Sequence, residues 1–246
     1  MHRYHILIEY VGTNFVGWQI QSKGKSVQKL IQIKLSKLLK EKISLIGSGR
    51  TDSGVHAIEQ SAHFDCKKEI QDLGKFLKSI NHFVNNAHIS IMNIRKRNLN
   101  FHARFSAKQR IYKYIIFNRL SRPSIEKGRG WHIIKELDVT LMKEGAKKLL
   151  GTKDFSTFRS SSCNAKSPIR TMKSIKIKKI KGRIEIQLQS QSFLQQQVRS
   201  MVGCLKYLAE KKWDLKKFEL IIKSKKRTLC APPAPAEGLF LEKVIY

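Results

Sequence analysis

Gly49-Arg50-Thr51-Asp52-Ser53-Gly54-Val55-His56-Ala57 follows the apolar run Ile43-Ser44-Leu45-Ile46 and precedes an alternating run from Ile58 to Phe64. Two glycines bounding a polar tip between strand-like runs predict a tight strand-to-strand excursion. Arg50 and Asp52 stand two apart at that tip, and in extended backbone residues two apart share a face. A neighbouring guanidinium favours the charged form of a carboxylate, which is the form a nucleophilic or general-base Asp needs at neutral pH. An isolated Arg-Thr-Asp is more ordinarily a polar turn with an Asx bond. The surrounding sequence decides between the two.

Upstream, Tyr4, Ile6, Ile8 and Tyr10 alternate as a first strand. A loop with two glycines and two aromatics follows, Val11-Gly12-Thr13-Asn14-Phe15-Val16-Gly17-Trp18-Gln19. Ser26 is placed to cap a helix whose apolar stripe is Val27, Leu30, Ile31, Leu35, Leu38 and Leu39. Downstream, the spacing predicts a helix over 70–84 with Leu73, Leu77, Ile80 and Val84 inward, then a strand over 88–96. Phe101-His102-Ala103-Arg104-Phe105-Ser106-Ala107 has no clean period. Aromatics interleaved with cations suit unstacked RNA bases, and a connecting segment whose Phe residues reach the core fits as well. A strand follows over 110–118, with Arg110, Tyr112 and Tyr114 on one face.

The second half resembles the first in outline. A helix begins near Asp138 and stops at Gly151. A polar loop over 154–168 holds Phe155, Phe158, Arg159, Cys163 and Lys166. Two basic strands, 171–180 and 183–190, form a hairpin turning at Lys181-Gly182. Helices over 194–210 and after Asp214, a Pro-rich loop at 232–235 and a last strand to Tyr246 complete the chain. Strands and helices mix without βαβ alternation, which predicts α+β with mostly antiparallel sheets and helices on one face. A join near 101–107 divides the chain into two similar halves, 1–105 and 106–246.

Composition limits the partner. Of 246 residues, 49 are Lys or Arg and 18 are Asp or Glu, a net charge of +31, which points to a polyanion and first to nucleic acid. A genome biased toward Lys, Ile and Asn codons would raise the same balance without selection for binding. The four cysteines, Cys66, Cys163, Cys204 and Cys230, are widely spaced and fit a reducing cytosol, with no zinc or disulfide pattern. The histidines show no metal-ligand spacing, there is no signal-peptide pattern at the N-terminus, and no window reaches the roughly 18 apolar residues of a membrane span.

Several segments, in order and across nearly the whole chain, resemble the tRNA pseudouridine synthase A family. They are Gly49–Ala57, Tyr10-Val11-Gly12 with Gly17-Trp18-Gln19, Phe101–Ser106, Arg110-Ile111-Tyr112-Lys113-Tyr114 and Gly151 with Asp154-Phe155. Pro168-Ile169-Arg170-Thr171, Val198–Gly203 and Ala236-Glu237-Gly238-Leu239 complete the set. The resemblance implies isomerisation of uridine to pseudouridine at positions 38, 39 and 40 of the tRNA anticodon stem-loop. It also implies a cofactor-free homodimer with its active-site cleft between two halves. Asp52 would be the catalytic carboxylate and Arg50 its neighbour, holding the flipped-out state. Tyr112 would stack on the uracil, Arg199 would pair with Asp52, and Leu239 would line the base pocket. Phe101, His102, Ala103, Arg104 and Phe105, with Ser162, Cys163, Asn164, Ala165 and Lys166, match segments that touch RNA. One departure is visible: Gln195-Gln196-Gln197 stand where the family usually has histidine and methionine before the helix arginine.

Overall fold

The computed structural model describes residues 1–246. In chain order its elements are β1 (His2–Tyr10), α1 (Val27–Leu39), β2 (Leu45–Gly47), β3 (His56–Cys66), α2 (Leu73–Val84) and β4 (Ile89–Arg97). There follow β5 (Gln109–Asn118), β6 (Trp131–Ile133), α3 (Val139–Lys148), β7 (Gly151–Asp154), β8 (Ile169–Ile180) and β9 (Arg183–Ser190). The chain closes with α4 (Gln197–Ala209), α5 (Leu215–Ser224) and β10 (Leu239–Ile245). It divides into two compact units, Met1–Lys108 with Phe240–Tyr246, and Gln109–Leu239. The expected halves, 1–105 and 106–246, leave those last residues with the second. They lie in the first because β10 runs parallel to β3, Phe240 opposite His56 and Leu241 opposite Ala57.

In the first unit β1 is antiparallel to both β3 and β4, and β2 is antiparallel to β3. Tyr4, Ile6, Ile8 and Tyr10 lie on one face of β1, each at most 2% exposed. Tyr4 stacks on Phe64 and Phe64 on Phe76 of α2, so the helices cover this face. Phe76 takes the core position expected of Leu77, which is only half-buried. On β4 both Ile91 and Ile94 are buried although their separation is odd. The register against β1 shifts between Leu7–Asn93 and Ile8–Ile91, so Met92 is an extra residue in a bulge and stays exposed.

In the second unit β5, β9, β8 and β7 are joined antiparallel in that order, with β6 parallel beside β5. Lys181 and Gly182, at φ 42° and 75°, make the two-residue turn of the β8–β9 hairpin, the mirror-type turn that matches strand twist. Ile184, Ile186, Leu188 and Ser190 alternate inward along β9. Phe155 and Phe158 are core residues at 0% exposure, not part of a polar loop; β7 and a short turn at Ser156–Phe158 carry them inside.

Helix starts follow local chemistry. Ser26, Asp72, Asp138 and Asp214 each accept the amide three residues on, at 3.3, 2.8, 2.9 and 2.7 Å, caps worth about 1 kcal/mol each. The exception is α4, which starts three residues later than its apolar pattern. Gln196 precedes it in the left-handed region, φ 61°, and the buried Gln197 side chain accepts the Leu194 amide at 2.8 Å.

Candidate active site

Asp52 lies in the connection between β2 and β3, outside both strands. Arg50 is exposed, Thr51 is 7% exposed and Asp52 is half-buried.

What holds this loop is the glycine-aromatic segment after β1. The Tyr10 hydroxyl and Thr51 Oγ1 are 2.8 Å apart, and the Trp18 amide donates to the Thr51 carbonyl at 3.2 Å. The Phe15 carbonyl accepts both the Gly54 amide, 3.3 Å, and the Ser53 hydroxyl, 3.2 Å. The Val55 amide closes a turn onto the Asp52 carbonyl at 3.2 Å. Gln60 pins the upstream side: its Nε2 donates to the Gly49 carbonyl at 3.0 Å and its Oε1 accepts the Ser48 hydroxyl at 2.8 Å.

Two glycines let the backbones approach this closely. A Cβ on Gly12 would sit 2.0 Å from the Val55 carbonyl oxygen. One on Gly17, whose φ is +104°, would sit 2.4 Å from that of Thr51. The physical reason for glycine at both positions is therefore the Asp52 loop itself. His56, inside the motif, is a supporting residue that the pattern of charges and spacing does not mark. It is 2% exposed, its Nδ1 accepts the Gly12 amide at 3.1 Å, and its ring stacks on Phe240 at 4.7 Å. Its signal was its position immediately after the turn, on a strand whose other partners come from far away in sequence.

In the second unit Arg199 leaves the first turn of α4. Its Nε donates to the Ala234 carbonyl at 2.7 Å, and the Ala234 amide donates back to the Arg199 carbonyl at 3.0 Å. These two hydrogen bonds to the Pro-rich loop fix the stem of the guanidinium. The next residue, Pro235, accepts the Tyr114 hydroxyl at 2.9 Å, and burial pushes that phenol's pKa well up. Leu239 is 6% exposed at the end of the same loop. Tyr112 is 9% exposed and meets Phe193 edge-on at 5.1 Å, so packing already uses part of its ring.

The two expected RNA segments differ. Ser162, Asn164 and Lys166 are exposed, while Cys163 is buried and its carbonyl accepts Arg159 Nη2 at 2.7 Å. Gln195 reaches this loop: its carbonyl accepts the Ser160 amide at 3.1 Å and its side chain the Ser162 hydroxyl at 3.5 Å. The glutamine run thus supports the loop before α4. In the other segment Ala103 is fully buried and Phe105 is 76% exposed, with the Arg104 guanidinium 5.5 Å from its ring centroid. A cavity of about 520 Å³ in the second unit is lined by Lys147, Lys148, Lys153, Lys223 and Lys225. Lys148 there pairs with Glu219 at 2.8 Å and Lys225 with Asp154 at 3.7 Å.

The model of the tRNA pseudouridine synthase family matches residues 6–106 and again 146–246. The chain belongs to the tRNA pseudouridine synthase family. The family's first match contains Asp52 and the 101–105 segment; the second contains 162–166, Arg199 and Leu239, and Tyr112 lies between them. A tRNA pseudouridine synthase A of Pelagibacter ubique (strain HTCC1062) is 81% identical over 246 residues, the whole of both chains. One of Parvibaculum lavamentivorans is 38% identical over the same full lengths. Among solved structures, a chain of a Cbf5-Nop10-Gar1 complex aligns with 83% of this chain and 53% of its own, at 11% identity and a TM-score of 0.35. No helix is long and apolar enough to cross a membrane.

Proposed function

We propose that this chain isomerises uridine to pseudouridine at positions 38, 39 and 40 of the tRNA anticodon stem-loop, with Asp52 as the nucleophile. Membership of the tRNA pseudouridine synthase family makes it an isomerase. In that reaction the N1–C1′ bond breaks, the base turns and C5 joins C1′. C5 gives up its proton to solvent as N1 gains one, and no electron or group passes to a second reactant, so no cofactor is required. The observation that carries the reading is the Asp52 loop, where a half-exposed carboxylate sits on a backbone pinned by Tyr10, Phe15, Trp18 and Gln60. Pinning of this kind is what a nucleophile needs in order to meet a flipped base without reorganising.

The other roles follow as part of the same proposal. Arg50 and Arg199 hold the reacting nucleotide, Tyr112 faces the uracil and Leu239 lines the base pocket. Phe101–Phe105 and Ser162–Lys166 engage the RNA backbone and unstacked bases. The enzyme works in the cytoplasm as a homodimer. Extrusion of a stem base costs a few kcal/mol, and phosphate contacts from a chain of net charge +31 offset it.

Tritium release from tRNA labelled at uridine C5 tests the reading. The parent protein releases tritium from the three anticodon-arm positions and Asp52→Asn releases none while still binding tRNA. Turnover by Asp52→Asn removes Asp52 from the nucleophile's role. Release mapped to other uridines removes the assigned positions.

A further inference from the structure

The segment between β4 and β5 is irregular, yet its backbone is saturated with hydrogen bonds. The His102 amide donates to Ser106 Oγ at 3.0 Å, and the Ser106 amide to the His102 carbonyl at 2.9 Å. The Arg104 and Phe105 amides both donate to His102 Nδ1, at 3.2 and 3.3 Å. The Ala103 amide donates to His63 Nδ1, from β3, at 3.1 Å. Every amide from 102 to 106 therefore has an acceptor. The carbonyls are held too: Arg3 Nη1 donates to those of Leu99 and Phe101, and the Tyr246 hydroxyl donates to that of Ala103 at 2.8 Å. Arg3 is itself fixed by Asp65 through two 2.7 Å bonds.

Behind the Tyr246 hydroxyl runs a directional chain. That hydroxyl has one proton, and it goes to a carbonyl that can only accept. Its contact with Ser61 Oγ must then be one in which Ser61 donates. Ser61 in turn accepts from His5 Nε2, 2.7 Å away, which sets the His5 tautomer. His63, accepting at Nδ1, is neutral and carries its proton on Nε2. Burial pushes both imidazoles down to about 4.

What this frame presents is Phe105, 76% exposed, with the His102 ring 4.4 Å away and the Arg104 guanidinium 5.5 Å from its centroid. A large apolar ring held in water between a neutral imidazole and a guanidinium has the chemistry to stack on an unpaired base and meet its phosphate. On a chain of net charge +31, the occupant is an RNA strand. We propose that His63 and Tyr246 are positioning residues, holding the 102–106 turn at Ala103 so that Phe105 is a preformed stacking point for an unstacked tRNA base. The proposal rests on the reading that the 101–105 segment meets RNA.

Steady-state kinetics on tRNA separate the two. Phe105→Ala raises KM about ten-fold, as the loss of one base–aromatic stack predicts; an unchanged KM overturns both the reading and the proposal. Tyr246→Phe raises KM about five-fold, the worth of one hydrogen bond, with kcat within about two-fold of the parent. In the Phe105→Ala background it adds nothing. If Tyr246→Phe raises KM by the same factor in both backgrounds, the hydroxyl does not act through Phe105 and the proposal falls while the reading stands. Amide exchange at 102–106 quickens in folded Tyr246→Phe, and unchanged exchange also overturns the proposal. Should that variant fail to fold, His63 decides. His63→Asn, whose Oδ1 stands in for Nδ1, keeps the parent KM and His63→Leu raises it; equal KM values for the two refute the clasp.

Discussion

Gly17→Ala tests whether the loop after β1 sets the position of Asp52. The new Cβ would lie 2.4 Å from the Thr51 carbonyl oxygen and 3.1 Å from the Asp52 carbonyl carbon, where ordinary contact begins at 3.4 Å. The Thr51–Asp52 peptide must therefore retreat by about 1 Å, since the hydrogen bond from the Trp18 amide to the Thr51 carbonyl ties the two segments together. A misplacement of about 1 Å at a reacting group costs on the order of 100-fold in rate, or roughly 2.7 kcal/mol of barrier. The substitution also carries a backbone cost of about 1–2 kcal/mol, because φ is +104°. Gly128→Ala separates the two terms: its φ is +70° and nothing lies within 4 Å of its added Cβ. Thermal melts and single-turnover tritium release on both variants give the answer. Both lose a similar few degrees of Tm, and only Gly17→Ala loses about two orders of magnitude in rate. Near-parental turnover by Gly17→Ala, or equal losses by both, refutes the account of how Asp52 is held.

The sequence was legible wherever the determinant is local. Ser26, Asp138 and Asp214 act within one helical turn, and the structure starts helices beside all three. Lys181-Gly182 is a turn by its own dihedral preferences and is one in the structure. Alternation in β1 and β9 follows from one buried face. Legibility fails where a partner distant in sequence sets the outcome. The bulge at Met92 exists only against Leu7 and Ile8. The β8 register shift between Met172 and Ser174 exists only against Ser190 and Gln189. Phe155 and Phe158 read as loop residues because polar residues surround them, while their burial depends on where α4 and α5 lie. Cys204 and Cys230, far apart in sequence, have sulfurs 3.4 Å apart and both remain free.

The site shows the same division. The motif marks Asp52, and Gly12, Gly17 and Trp18 stand in segments that match the same family. Nothing in the spacing said that these residues hold the Asp52 loop, because the bonds join segments about 40 residues apart. His5, Ser61 and His63 show why buried polar residues are hard to assign from sequence. They interrupt no pattern on β1 and β3, since the covered face is the one the helices leave to Phe101 and Tyr246.

Two further outcomes follow from the same geometry. Arg199→Lys keeps the charge but loses the Nε donor to Ala234 and the planar fork, so turnover falls at least ten-fold with little change in Tm. Acid tests the buried histidines. His5 and His63, 6% and 1% exposed, are lowered from 6.5 to about 4, first by burial and then by nearby positive groups such as Arg97 and Arg3. The unfolded chain takes up these protons near pH 6.5 and the native one only near 4, so the stabilisation is complete above 6.5 and is lost as pH falls toward 4. Each shift corresponds to about 3 kcal/mol, and because a charge on His63 also opposes one on His5, the pair is not simply additive. Urea midpoints measured from pH 7 to pH 4 fall steeply in the parent. They flatten in His5→Gln with His63→Asn, which keep a donor toward Ser61 and an acceptor for Ala103 but do not titrate. Asp65, held below the usual carboxylate range by its bonds to Arg3, contributes in a lower window and leaves this comparison intact. An acid transition of undiminished size in the double variant means that the charge-sensitive part of the fold lies elsewhere.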